Sequence, residues 1–303
     1  MSELELRGLD GANPLAFLAA LGTLCTLTRA WPRRTVRLRW ERLSAAWRPL
    51  LTTEASLSES EVLTTLEREL RRDDTCQPFE LGSDLNVSPD RFADFSRRAA
   101  TSASMFDRRS ADFLAAFGCE ATTSERTIQD TALRTMSGAG HQHFLGSMKE
   151  LVACTTVEHL RTALFDVWRY EDERPSMRWD PADDRRYALR WRDPSKDQIR
   201  TVRGANRLAV EALVLFPTAP VASRLETTGF TGRGSRDTLW RWPIWTAAVT
   251  LDVVRSLVAL RWIQPVGRSV KREMLARMGI AEVYCSQRLT VGKYRNFSPA
   301  QPA

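Results

Sequence analysis

Residues 3–8, Glu-Leu-Glu-Leu-Arg-Gly, alternate polar and apolar side chains with the period of a half-buried strand. A turn, Asp10-Gly-Ala-Asn13, follows, with Asn13 suited to cap a helix and Pro14 to its first position. Leu15, Leu18, Leu21 and Cys25 then share one helical face. Phe17, Leu24 and Leu27 widen it, which predicts a well-buried helix to about Arg29, ended by Trp31-Pro32. Val36, Leu38 and Trp40 alternate with Arg37 and Arg39 as a second strand over 35–40.

Ser58-x-x-Glu61 has the form of a capping box ahead of Val62, Leu63, Leu66 and Leu70. Ser88-Pro89 opens a further helix carrying Phe92 and Phe95, and the chain stays helix-rich through Phe117. After the break at Gly138-Ala-Gly140, residues 142–153 read as helix. Thr155-x-x-Glu158 reads as the cap of the next, which ends near Trp168. Residues 171–186 are crowded with Asp, Glu, Arg and Pro and read as a long surface loop or a domain seam. Tyr187, Leu189 and Trp191 share one face of a strand, and a short helix from about Ala205 leads into the apolar run Leu213–Phe216. A glycine-rich loop over 227–238, an apolar helix around 247–262 and a short basic helix over 268–278 come next. Val283, Cys285, Gln287, Leu289 and Val291 alternate as a last strand.

These elements predict a mixed, helix-rich α+β fold with short, mostly antiparallel sheet segments. Residues 1–170 read as an α+β N-terminal region with a helical half, and 171–303 as a basic α+β C-terminal region. One continuous domain is the alternative. No internal repeat interrupts the chain. The longest apolar stretch, Leu15–Leu27, falls short of the about 20 residues that cross a bilayer. The acidic start, Met-Ser-Glu-Leu-Glu, is unlike a secretory signal. Five scattered cysteines point to reduced thiols, so a cytoplasmic protein without membrane contact is expected.

Charge changes the picture. The 303 residues hold 44 basic and 37 acidic side chains, a net of +7. Forty of the basic residues are Arg, a ratio that a GC-rich genome would account for. Placement is another matter: residues 1–223 carry 31 basic and 32 acidic side chains, whereas 224–303 carry 13 and 5. The whole surplus sits in the last quarter, as on a surface that faces a polyanion.

Several groups of side chains are candidates for chemistry. His141-Gln-His143 is the one close His pair; an extended backbone would turn both rings to a metal, with His159 or a distant carboxylate as third ligand, whereas a helical one points them apart. Glu171-Asp172-Glu173 and Asp180, Asp183 and Asp184 sit among arginines, which favours surface self-pairing over a Mg²⁺ nuclease site. No metal or cofactor is expected. The loop Gly232-Arg233-Gly-Ser-Arg236 lacks the Lys-Ser/Thr ending of a nucleotide loop, but its glycines and arginines suit close approach to phosphate. Trp191, Trp240, Trp242 and Trp245 each lie near an Arg, an arrangement that offers either bases a stacking surface or the fold a core.

Three blocks carry a resemblance: Gly8-Leu-Asp-Gly-Ala-Asn-Pro-Leu-Ala-Phe-Leu-Ala-Ala-Leu-Gly22, Trp179-Asp-Pro through Trp191-Arg-Asp-Pro194, and Arg203-Gly-Ala-Asn through Trp242-Pro243. Across about 8–260 the chain resembles the large subunit of type I-G (formerly I-U) CRISPR Cascade complexes, in a short version. The resemblance implies a nonenzymatic subunit that binds nucleic acid in a crRNA-guided antiviral complex. Such a subunit helps recognise the motif flanking the target and open the DNA. Its partners would be crRNA, target DNA, the other Cascade subunits and a recruited helicase–nuclease. The expected contacts are Arg190, Arg192, Arg203, Arg233, Arg236, Lys271, Arg272, Arg277, Lys293 and Arg295. The alternatives are a metal-dependent nuclease using His141 and His143, and an architectural subunit whose basic face meets an acidic protein.

Overall fold

The computed structural model describes residues 2–105, 107–124, 126–136, 138, 143–183, 200–232, 237–264, 272–291 and 294–303. The fold is mixed α+β, and every strand pair among the described residues is antiparallel. The N-terminal part consists of β1 (Ser2–Glu5), α1 (Pro14–Ala30), β2 (Arg37–Leu43), β3 (Ala46–Thr53) and α2 (Glu59–Leu70). The middle holds α3 (Pro89–Ser102), α4 (Arg109–Phe117), β4 (Gly118–Ser124), β5 (Thr127–Asp130), α5 (Phe144–Cys154) and α6 (Val157–Phe165). The rest comprises α7 (Arg203–Glu211), β6 (Thr218–Val221), β7 (Arg224–Thr227), β8 (Phe230–Thr231), β9 (Leu239–Trp245), α8 (Leu251–Val258), α9 (Arg272–Arg277), β10 (Ile280–Val291), β11 (Tyr294–Phe297) and β12 (Gln301–Pro302).

Helix α1 forms where the apolar face and the Asn13 cap predict it. Asn13 Oδ1 accepts from the Ala16 amide at 3.1 Å, and every residue from Pro14 to Leu27 is buried. Because α1 is apolar all round, it serves as the axis on which the other elements pack. The sheet β1-β3-β2 is closed by a two-residue turn, Ser44-Ala45, both at positive φ, the backbone that a tight hairpin needs. Helix α7 crosses α1 so closely that a Cβ at Gly22 would collide with the Leu208 carbonyl. At Gly204 the same atom would collide with the His159 carbonyl, which brings α6 against α7. Glycine is therefore the residue that permits both crossings.

The second sheet runs β11-β10-β9-β8, with β12 also paired to β10. Trp240, Trp242 and Trp245 on β9 are at most 1% exposed and pack around Phe17 of α1 and Trp40 of β2. Trp242 Nε1 donates to the Gly11 carbonyl at 2.9 Å, and Trp245 Nε1 to that of Leu38 at 2.8 Å. One hydrophobic cluster consequently runs from Leu6 to Phe297 across the 170/171 division.

Some elements differ from the sequence expectations. The helix expected over 247–262 is α8 plus a 3-10 turn at Arg261–Ile263, and part of the loop at 227–238 is the short strand β8. The cap of α6 is Thr156, one residue after the expected Thr155, and its box partner is His159. An imidazole at the third helical position replaces the usual Glu: its Nδ1 accepts from the Thr156 amide at 3.0 Å. The strand expected at 187–192 lies outside the described residues.

Candidate nucleic-acid interface

Four of the ten expected contact residues are described: Arg203, Arg272, Arg277 and Arg295. Arg190, Arg192, Arg233, Arg236, Lys271 and Lys293 lie outside the described residues.

Arg203 opens α7, and its guanidinium is occupied by its own chain. It lies 3.2 Å from His159 Nε2 and donates to the carbonyls of Glu173 at 3.3 Å and Arg174 at 3.4 Å. Its amide donates to Asp172 Oδ2 at 2.8 Å. These bonds tie the 171–174 segment to the starts of α6 and α7. Arg272 and Arg277 are exposed on α9, which packs against β10. Arg272 Nη2 donates to the Ala303 carbonyl at 3.1 Å.

Arg295 stands on β11 opposite Thr290, and Arg288 on β10 opposite Phe297. Residues two apart on a strand share a face, so both arginines stand on the same side of this hairpin. Burial, together with the Arg295 charge, pushes the Arg288 guanidinium down to about 10, against the attraction of Asp130. Arg288 Nη1 donates to the Ala132 carbonyl at 3.0 Å. The sequence does not name this pair as one, because it forms only through the β10–β11 register. Arg241, on β9, was also missed; its Nη1 donates to Thr231 Oγ1 at 3.2 Å.

Charge pairing is commoner in the first part of the chain. In the first 223 residues many arginines meet nearby carboxylates, among them Arg37 with Glu54 at 2.8 Å, Arg39 with Glu3 at 3.0 Å and Arg161 with Glu158 at 2.6 Å, whereas others, such as Arg48 and Arg91, donate to backbone carbonyls instead. From Arg224 onward, among the described residues, Arg255 alone lies within ion-pair distance of an Asp or Glu side chain, Asp112 at 3.5 Å. Arg224, Arg241, Arg261, Arg272, Arg277, Arg288 and Arg295 have no such partner there.

Of the two roles open to Trp240, Trp242 and Trp245, these rings take that of core; Trp191 lies outside the described residues. The expectation for Asp180 is corrected. Asp180 is not a surface ion pair. It is 2% exposed and accepts from Asn13 Nδ2 at 3.2 Å, Tyr170 Oη at 3.1 Å and the Ala182 amide at 2.9 Å. Burial raises its carboxyl above the usual range despite those hydrogen bonds. Asp172 faces His159 Nε2 at 3.4 Å. His143 precedes α5 with its Nδ1 buried and unbonded, and His141 lies outside the described residues. Among the described residues no three His, Cys, Asp or Glu side chains gather as a metal-ligand set.

Also among the described residues, no helix is long and apolar enough to cross a membrane. Comparison of the chain with protein-family models and with curated proteins finds no match.

Proposed function

We propose that the chain is a nonenzymatic, nucleic-acid-binding subunit of a crRNA-guided complex, with its last quarter as the contact surface. The observation that carries this reading is that the arginines from Arg224 onward, Arg255 excepted, have no carboxylate partner among the described residues, in a segment of 13 basic and 5 acidic side chains. An arginine held in a short, direct carboxylate pair must break that pair to meet a phosphate. One without such a partner releases only counterions from the nucleic acid, a favourable term at low salt. The resemblance in the blocks at 8–22, 179–194 and 203–243 supplies the assembly: crRNA, target DNA, neighbouring Cascade subunits and a helicase–nuclease.

Reversing Lys271, Arg272, Lys293 and Arg295 to Glu tests the surface directly. Double-stranded DNA and crRNA-loaded partner subunits are the ligands, and circular dichroism checks that the variant folds. Binding is expected to disappear in 100 mM salt, with the wild type weakening steeply as salt rises. Normal binding by the folded variant overturns the assignment. Cutting of DNA that depends on Mg²⁺ or Mn²⁺ would instead favour the nuclease reading.

A further inference from the structure

A cavity of about 460 Å³ lies between the C-terminal turn of α1, the start of α4 and the start of α8. Arg29, Arg108, Arg109 and Arg255 contribute to its wall, as do Glu211 and Asp112. Glu211, only 1% exposed, takes Arg109 in a bidentate pair at 2.7 and 2.9 Å, Arg207 at 2.9 Å and Arg29 at 3.4 Å. Asp112 takes Arg108 at 3.4 Å and Arg255 at 3.5 Å. Five guanidiniums therefore share two carboxylates. Arg207 is sealed behind the wall, but Arg29, Arg255 and Arg108 keep 22, 41 and 67% of their side chains exposed.

Each of these three arginines meets its carboxylate through a long contact, and a guanidinium has five N–H donors. Two further acids line the cavity, Asp107 and Asp252. Asp107 accepts from the Arg109 amide at 3.3 Å, and Asp252 lies in the first turn of α8. Both charges thus face the positive end of a helix, which offsets part of each. Burial pushes the Cys25 thiol up to about 12, so it adds no negative charge. The wall is left with accessible guanidiniums from three separate elements. A carboxylate is satisfied by a single fork, whereas a phosphate presents three or more oxygens to several.

We propose that this cavity binds a phosphate group, through Arg29 of α1, Arg108 before α4 and Arg255 of α8. The group is either free inorganic phosphate or the terminal phosphate of a nucleic acid. The proposal does not depend on the role of the basic last quarter.

Calorimetric titration of the full chain separates the cases. The probes are inorganic phosphate and one oligonucleotide prepared with a 5′-phosphate and with a 5′-hydroxyl. The variants are Arg29→Gln, Arg255→Gln and, as a surface-charge control on α3, Arg97→Gln. Saturable one-to-one binding is expected, weakened about tenfold or more by each of the first two substitutions and unchanged by the third. If the 5′-phosphate raises oligonucleotide affinity in an Arg29-dependent way, the source is a nucleic-acid end; if only inorganic phosphate binds so, the source is the free ion. Arg255 is exposed enough that its variant stays informative if Arg29→Gln fails to fold. The proposal is overturned if neither phosphate source binds saturably, or if Arg255→Gln binds both as the wild type does. Failure of the 5′-hydroxyl oligonucleotide to bind at all would count against the polyanion surface instead, and leave the phosphate titration to decide this site.

Discussion

Asn13 has two bonds to lose. Its Oδ1 caps α1, and its Nδ2 donates to buried Asp180. Cap loss alone costs about 1 kcal/mol, so Asn13→Ala should exceed that figure in a denaturant titration. Asn13→Asp sharpens the test, because Asp caps as well as Asn but sets a second carboxylate against Asp180. It should be the more damaging of the two at neutral pH and recover on acidification. Asp180 also gives the wild type a pH dependence. Its carboxyl is raised in the fold, so the folded state holds the proton more tightly than the unfolded chain. That contribution is fully present below the ordinary Asp range and is lost as pH rises through the raised value. The stability of the wild type relative to Asp180→Asn should therefore improve as pH falls from 7 toward 4; a gap independent of pH would refute this. Leu18, fully buried in α1, should cost roughly 2–5 kcal/mol as Leu18→Ala.

At the scale of elements, Glu211 joins three helices through Arg29 of α1, Arg109 of α4 and Arg207 of α7. Burial opposes its charge, but Arg109 and Arg207 hold its carboxyl well below the usual range. Its contribution to stability is present above the ordinary Glu range and is lost only in strong acid. Glu211→Gln leaves three guanidiniums without their shared counter-charge, and the expected loss is about 3–5 kcal/mol at pH 7 by chemical unfolding. Gly22→Ala probes the α1–α7 crossing itself. The added methyl meets a carbonyl rather than a flexible side chain, so the helices must part, at about 1–3 kcal/mol. A neutral result would mean that the crossing is looser than the structure has it.

Over the whole molecule, the charge surplus and the core are built from the same strands. β9 turns Trp240 and Trp242 toward α1 and carries Arg241 on its opposite face, so charge on one side rests on packing at the other. The salt slope of polyanion binding should fall by about 1 for each phosphate contact removed from the last quarter. Arg272→Ala and Arg295→Ala, measured across a salt series, give the two single-residue values. Arg203→Ala should act differently. Its bonds hold the 171–174 segment, so thermal stability should fall whether or not nucleic acid is present.

The local elements with strong periodicity were legible in the residues. α1 and its Asn13 cap, the Ser58 and Ser88 caps, and the strand containing Val283 and Leu289 all form where the spacing puts them. These depend on neighbours three or four residues away, or on strict alternation, and such interactions are written into the order of the chain. β3 was not legible, because Ser44-Ala45 turns the hairpin at positive φ without the Asn-Gly pair that usually marks it. The displaced cap at Thr156 depends on an imidazole doing what Glu commonly does. The charge asymmetry of the last quarter needed only counting, but which arginines keep a partner depends on which carboxylates the fold brings within reach. Read in order, Asp180 is a polar surface residue and Trp240 either a stacking surface or core. Long-range packing across 167 residues to Asn13, and of β9 onto Phe17, put both inside, since burial is a property of elements that meet rather than of the residues between them.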